Sequence, residues 1–214
     1  MFYTNTPVKL VDCFTQNTQS ELLIVEGDSA AQAVVRMRNG QTQAVLPMQG
    51  KPMNTLAISQ KKLLQSPLFK ALIDAIGAGV GESFKLEKLR YQRIVLLMDP
   101  DADGIHCGAL MLLFFYRWMR PLLETGKVIL VRPPVGEVTD TQTGEVQYAY
   151  TEPEFFKLLS GAENGHLQTV KYRGLAGIPQ TFLEISCIAP QTRRAIVMGV
   201  QDAEIAQQVF AANA

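Results

Sequence analysis

The chain has 214 residues, 20 Lys and Arg balanced by 20 Asp and Glu, and 47% hydrophobic residues. That length and apolar content support one large domain, or a domain with an appendage, around a real core. Zero formal net charge argues against strong nonspecific attraction to nucleic acid, so any such contact must come from local patches. Arg36/Arg38, Lys61/Lys62 and Arg193/Arg194 are the candidate pairs, each more simply read as a solvated face.

Cys13, Cys107 and Cys187 are odd in number and far apart. They form no disulfide framework and no metal-ligand spacing, which fits a reducing, cytoplasmic setting. Met1-Phe2-Tyr3-Thr4 lacks the basic and apolar regions of an export signal. No run reaches the ~18 apolar residues of a membrane span, so no membrane partner is expected.

In chain order, residues 1–20 are polar and expected to be loose. Leu22-Leu23-Ile24-Val25 reads as a short strand, then Glu26-Gly27-Asp28, then a helix over 29–37. Ser29 or Asp28 is the N-cap candidate, and Gly27 permits a tight strand-to-helix turn. A second short strand covers 43–46, and a helix covers 63–76 with Pro67 as a break or a start. Gly77, Gly79 and Gly81 spell Gly-x-Gly-x-Gly, but a helical pattern precedes them, so a loop is expected rather than a dinucleotide turn.

The next strand, 93–98, leads into Asp99-Pro100-Asp101-Ala102-Asp103-Gly104. In an extended backbone, side chains at i, i+2 and i+4 point the same way. Three crowded carboxylates repel unless a cation sits among them, and oxygen-only ligands suit Mg²⁺ before Zn²⁺ or Cu²⁺. Asp, Pro and Gly also mark ordinary turns. A calcium-binding EF-hand loop would need Glu at its twelfth position, here Leu110, and a helix before it. The phosphatases that use an aspartyl nucleophile share the strand and Asp-x-Asp but usually carry Thr or Val where Asp103 stands. That reading, with Asp99 as nucleophile, stays open.

A long helix is expected over 108–125, with Phe114, Phe115, Tyr116 and Trp118 as core and Pro121 kinking its last turn. A strand over 127–131 and a hairpin over 135–151, turning near Thr143-Gly144, follow. A helix over 152–159, a loop over 160–165, a strand over 169–172, a helix over 179–188, a strand over 195–200 and a final helix complete the chain. His166 receives no role.

Glu26-Gly27-Asp28-Ser29-Ala30 and Asp99-Pro100-Asp101-Ala102-Asp103-Gly104-Ile105-His106 resemble the two signatures of the Toprim domain of bacterial type IIA topoisomerases, gyrase B type. Lys9-Leu10-Val11-Asp12-Cys13, the stretch from Ala44 to Asn54, Leu89-Arg90-Tyr91, Pro133-Pro134 and Lys171-Tyr172-Arg173-Gly174-Leu175 resemble further family segments in order. The resemblance covers nearly the whole chain. It implies an α/β fold, a Rossmann-like parallel sheet flanked by helices, with 1–134 as Toprim core and lead-in and 135–214 as a small α+β tail.

The resemblance also implies a Mg²⁺-dependent DNA cleavage and religation module. Two metal positions would be held by Glu26, Asp99 and Asp101, with Asp99 bridging and Asp103 an outer or alternate ligand. Metal ions neutralise charge on the attacking and leaving oxygens of a phosphodiester. Glu26 would also act as general acid/base at the leaving 3′ oxygen. Lys51 and Asn54 match family positions that face DNA. His106 either touches a phosphate or is an ordinary helix-start histidine. The catalytic tyrosine is expected on an A-type partner, and none of the 6 tyrosines here sits in a nucleophile motif.

Departures from the family pattern fall on basic residues. Val35 and Gln49 stand where a cation is usual, Cys107-Gly108 replaces an apolar residue and Arg, and Ala176-Gly177 replaces Gly-Glu. Tight DNA binding is therefore more in question than metal binding. A non-catalytic metal- or DNA-binding paralogue with a docking role is the alternative. No ATPase region is legible, so the chain is expected to be an excised fragment or a short paralogue.

Overall fold

The computed structural model describes residues 9–160 and 166–212. Its main sheet has five strands in the order β2-β1-β3-β4-β8. Strands β1 (Glu21–Glu26), β2 (Gln43–Met48), β3 (Arg93–Leu97) and β4 (Val128–Val131) are parallel, and β8 (Ala195–Met198) is antiparallel at the β4 edge. Continuous apolar runs are what a parallel sheet covered on both faces requires. Alternate residues of each run go to opposite cores. Leu22, Ile24, Leu46, Ile94 and Leu96 pack with α2 (Gln60–Gln65), α3 (Pro67–Ile76) and α4 (Ala102–Trp118). Leu23, Val25, Val45, Val95 and Leu97 pack with α1 (Gly27–Met37) and residues of the 175–188 segment.

Residues after β4 build a second, three-stranded antiparallel sheet in the order β6-β5-β7. Its strands are β5 (Gly136–Asp140), β6 (Val146–Ala149) and β7 (Leu167–Lys171), and Phe155 of α6 (Glu152–Ser160) packs on them. Gly144 turns the hairpin with φ 74°, where glycine is favoured. The chain then returns to the main body. A short turn at Leu175–Gly177 and helix α7 (Gln180–Leu183) lie against α1, β8 joins the main sheet, and α8 (Val200–Ala212) packs on α4 through Leu110, Leu113 and Ala206.

Several expectations are corrected. Helix α4 begins at Ala102, not 108, because the Asp101 side chain accepts from the Gly104 N–H at 2.8 Å and caps it. It ends at Trp118, and Pro121 opens a separate turn, α5 (Pro121–Glu124). Pro67 starts α3, one of the two roles expected of it, and the single helix expected over 63–76 is two, α2 and α3. Neither Ser29 nor Asp28 caps α1: the cap position is Glu26, and Gly27 enters the helix at φ 67°. The 179–188 helix is a single α turn followed by a π turn, Glu184–Ile188.

Residues 9–20 are not loose. Val11 exchanges two backbone hydrogen bonds with Val45, Cys13 is buried, and the Asp12 carboxylate accepts from Arg90 and from the Tyr91 hydroxyl at 2.7 Å. Residues 1–8 and most of the 160–165 loop lie outside the described residues. Arg193 is not a surface cation. It is buried and donates twice to Glu21 of β1, at 2.6 and 2.8 Å. Arg38 is half-buried and donates to the Asp12 and Gln43 carbonyls.

Candidate metal centre and nucleic-acid face

Strands β1 and β3 are direct neighbours, with Val25 level with Leu97. Glu26 and Asp99 therefore leave the carboxyl edge of the sheet side by side, where open α/β sheets bind ligands. The Glu26 carboxylate accepts from the Asp99 backbone N–H at 3.1 Å, across 73 positions of sequence. Gly104 makes this approach possible. A Cβ there would stand 2.1 Å from the Asp99 carbonyl oxygen and 2.8 Å from Glu26 Oε1.

The three aspartates do not continue the strand as an extended run. Strand β3 ends at Leu97, and helix α4 starts at Ala102, so Asp103 already lies in a helical turn. Each carboxylate has its own partner. Asp99 Oδ1 accepts from the Leu175 N–H at 2.9 Å, Asp101 caps α4, and Asp103 pairs with the Lys51 ammonium at 2.9 Å. Among the described residues, no three His, Cys, Asp or Glu side chains converge as a ready-made metal cage.

The electrostatics nevertheless suit a hard cation. Burial lifts the Glu26 carboxyl above the ordinary range, and Asp99 and Asp101 lift it further, against the opposing Asp99 N–H. Burial also lifts Asp99, the Leu175 N–H opposes it, and Asp101 adds to it. Two half-buried carboxylates, both lifted by burial and by Asp101, form an all-oxygen donor set that a divalent ion would relieve. Asp103 is held below the ordinary range by Lys51.

Lys51, Asp103, Glu26 and Cys107 line one cavity of about 410 Å³. Asn54 is exposed, and its side chain accepts locally from the Leu56 N–H at 3.0 Å. His106 sits edge-on to the Phe210 ring of α8, centroids 5.1 Å apart, and contributes to lowering Asp103. Lys51 and His106 thus both border Asp103, whereas Asn54 is engaged in its own turn.

Three partners escaped the sequence reading. Lys9 bridges Asp28 at 2.7 Å and Gln49 at 2.8 Å. The Cys107 thiol, pushed up to about 11 by burial and then by Glu26, adjoins that carboxylate. Cys107 lies four residues after Asp103 on one helix, a spacing that shares a face and could have flagged it. The Leu175 N–H is 76 positions from Asp99 and has no local signal.

A Toprim domain model matches residues 21–133. The chain belongs to the Toprim family, as its two acidic strand ends led one to expect. Its relatives include the DNA gyrase B subunits of Archaeoglobus fulgidus and of Thermotoga maritima, each 36% identical over 208 residues, 97% of this chain and 32% of the relative. The DNA gyrase B protein of Thermus thermophilus is 37% identical over 210 residues, 95% of this chain and 33% of the relative. The similarity is thus to the gyrase B type, as read from the motifs, and the chain spans about a third of those proteins. Among the described residues, no helix is long and apolar enough to cross a membrane.

Proposed function

We propose that this chain is the Mg²⁺-dependent DNA cleavage and religation module of a type IIA topoisomerase, gyrase B type, acting in the cytoplasm on DNA with an A-type partner. The observation that carries the reading is the Glu26 carboxylate on the Asp99 amide at the sheet's carboxyl edge, 3.1 Å away. Glu26, Asp99 and Asp101 would hold the cation, with Asp103 as an outer or alternate ligand. Bound Mg²⁺ supplies charge neutralisation on the scissile phosphodiester.

The chain's own residues orient and exchange charge around that point. Leu175 fixes one Asp99 oxygen, and Asp101 fixes the start of α4. Glu26 would pass a proton to or from the leaving 3′ oxygen. Lys51, Asn54 and His106 would meet the DNA backbone. A partner-borne nucleophile fits the tyrosines, since each one described is already engaged. Tyr91 bonds Asp12, Tyr172 bonds Glu137, Tyr116 reaches Glu204, Tyr148 stacks on Phe182 and Tyr150 faces Arg194.

A second reading, a non-catalytic docking paralogue, is favoured by one observation: Lys9 and Lys51 are already neutralised by Asp28 and Asp103. Cleavage of supercoiled DNA, with and without an A-type gyrase partner, separates the two. Cleavage that needs both Mg²⁺ and the partner, and is lost in Asp99→Ala, supports the first. Silence in every combination favours the second.

A further inference from the structure

The tail motif Lys171-Tyr172-Arg173-Gly174-Leu175 meets the proposed site at its last residue, whose amide ends on the central carboxylate. Asp99 Oδ1 accepts from the Leu175 N–H at 2.9 Å. A Cβ on Gly174 would stand 3.1 and 3.2 Å from the two Asp99 carboxylate oxygens and 3.3 Å from the carbon between them. Gly174 has φ −170° and ψ 170°, ordinary extended backbone open to any residue. Its lack of a side chain therefore serves the Asp99 approach and not the chain path.

The donor is held firmly. The Leu175 side chain is fully buried in the core formed by α1 and the sheet, beside Val25, Leu97 and Tyr172. The Gly177 N–H closes a turn onto the Gly174 carbonyl at 3.0 Å. The amide holds one carboxylate oxygen, and the missing Gly174 side chain leaves room for both. Such partners of ligating carboxylates orient the ligand and raise metal affinity.

We infer that Gly174 and Leu175 are positioning residues that clamp Asp99 for the cation, so the tail completes the metal site of the Toprim core. This rests on the reading that Asp99 helps hold a divalent ion. The test is Mn²⁺ titration of the full chain, followed by the electron paramagnetic resonance signal of free Mn²⁺. Asp99→Ala should abolish binding. Gly174→Ala should weaken it about tenfold, the low end of such losses, while unfolding at the same midpoint as Gly177→Ala. At Gly177 a Cβ would meet only Tyr172, at 3.9 Å.

If Gly174→Ala binds Mn²⁺ like the unaltered protein while Asp99→Ala does not, the clamp is overturned and the metal reading stands. If Asp99→Ala binds normally, the metal reading itself fails. Should Gly174→Ala not fold, hydrogen exchange of the Leu175 amide in the unaltered protein decides. Protection that persists when Mg²⁺ is added supports the clamp. Protection lost on adding Mg²⁺ means that the carboxylate leaves the amide to take the ion, which overturns it.

Discussion

Arg193 offers the sharpest test of how the tail is bound to the sheet. Its side chain and that of Glu21 are each 2% exposed, and the two form a bidentate pair at 2.6 and 2.8 Å. Glu21 also accepts from the Gln43 amide at 3.0 Å, and Arg93 stands 3.7 Å away. Removing one partner of a buried ion pair costs about 3–5 kcal/mol, because a charge is left buried and alone. Arg93 is half exposed, at 53%, and can turn toward Glu21, so Arg193→Met should fall near the low end, about 3 kcal/mol. At ~2–4 °C per kcal/mol for a domain of this size, the midpoint should drop by roughly 6–12 °C.

Urea unfolding followed by the fluorescence of Trp118, the single tryptophan, reads this directly. The double variant Glu21→Met/Arg193→Met removes both charges and should recover much of the loss, since apolar replacement of a buried pair is often near neutral. The cycle should give a coupling of at least about 2 kcal/mol. In the unaltered protein, Arg193 Nε is buried without a hydrogen-bond partner among the described residues, a cost that the double variant also removes. A loss under ~1 kcal/mol for Arg193→Met, or a double variant no better than the worse single one, would refute the reasoning.

Three further outcomes are expected. Lys51→Gln should lower DNA affinity and reduce the slope of log affinity against log salt by about one unit, measured by fluorescence anisotropy over a salt series; an unchanged slope removes Lys51 from the interface. Gly77→Ala should destabilise by at least about 1–2 kcal/mol, because φ is +73° there and a Cβ would stand 2.6 Å from Arg90 Cδ; denaturant titration with a change below a few tenths of a kcal/mol would contradict it. Burial pushes the Cys187 thiol from 9.0 up to about 11. The unfolded thiol ionises first, so its contribution is intact below about pH 9 and declines by ~1.4 kcal/mol per pH unit up to about 11. Cys187→Ala should flatten that alkaline decline, and an unchanged slope in unfolding free energy against pH would place the titration elsewhere.

The parallel strands were legible because their apolar runs are long, bounded by Gly or acidic residues and too short for helices. The pairing of β1 with β3 was not itself written in the residues: two strand–acid–helix units share an edge only if an open parallel sheet sets them side by side. What stayed hidden depends on partners distant in sequence. Arg193 looks like a surface cation beside Arg194 until Glu21, 172 positions away, is seen beneath it. Lys9 to Ser20 reads as polar coil, yet Asp12 receives Arg90 and Tyr91 from 78 and 79 positions on. The start of α4 was missed because Pro100 and Gly104 signal a turn, while the Asp101 cap overrides them. Of the proposed site, residue types and order were readable, but which amide held which carboxylate was not.

The lysines beside the proposed site are each paired with an aspartate within a few ångströms, and under the proposed function this would shape how DNA enters. Lys9 faces Asp28 and Lys51 faces Asp103, while Val35, Gln49 and Gly108 stand where the family usually keeps cations. A phosphate approaching this edge therefore meets ammonium groups already satisfied and two half-buried carboxylates that repel it. Divalent ions ordinarily weaken protein–DNA binding by competing for phosphates. Here an ion held by Glu26 and Asp99 would convert the repulsive centre into an attractive one and draw Asp103 away from Lys51. Affinity for a short duplex, at fixed ionic strength, should rise as Mg²⁺ is added until the carboxylates saturate, then fall as competition takes over. Asp99→Ala should show only the fall. A steady decline in the unaltered protein would mean that the carboxylates hold no ion that DNA can feel.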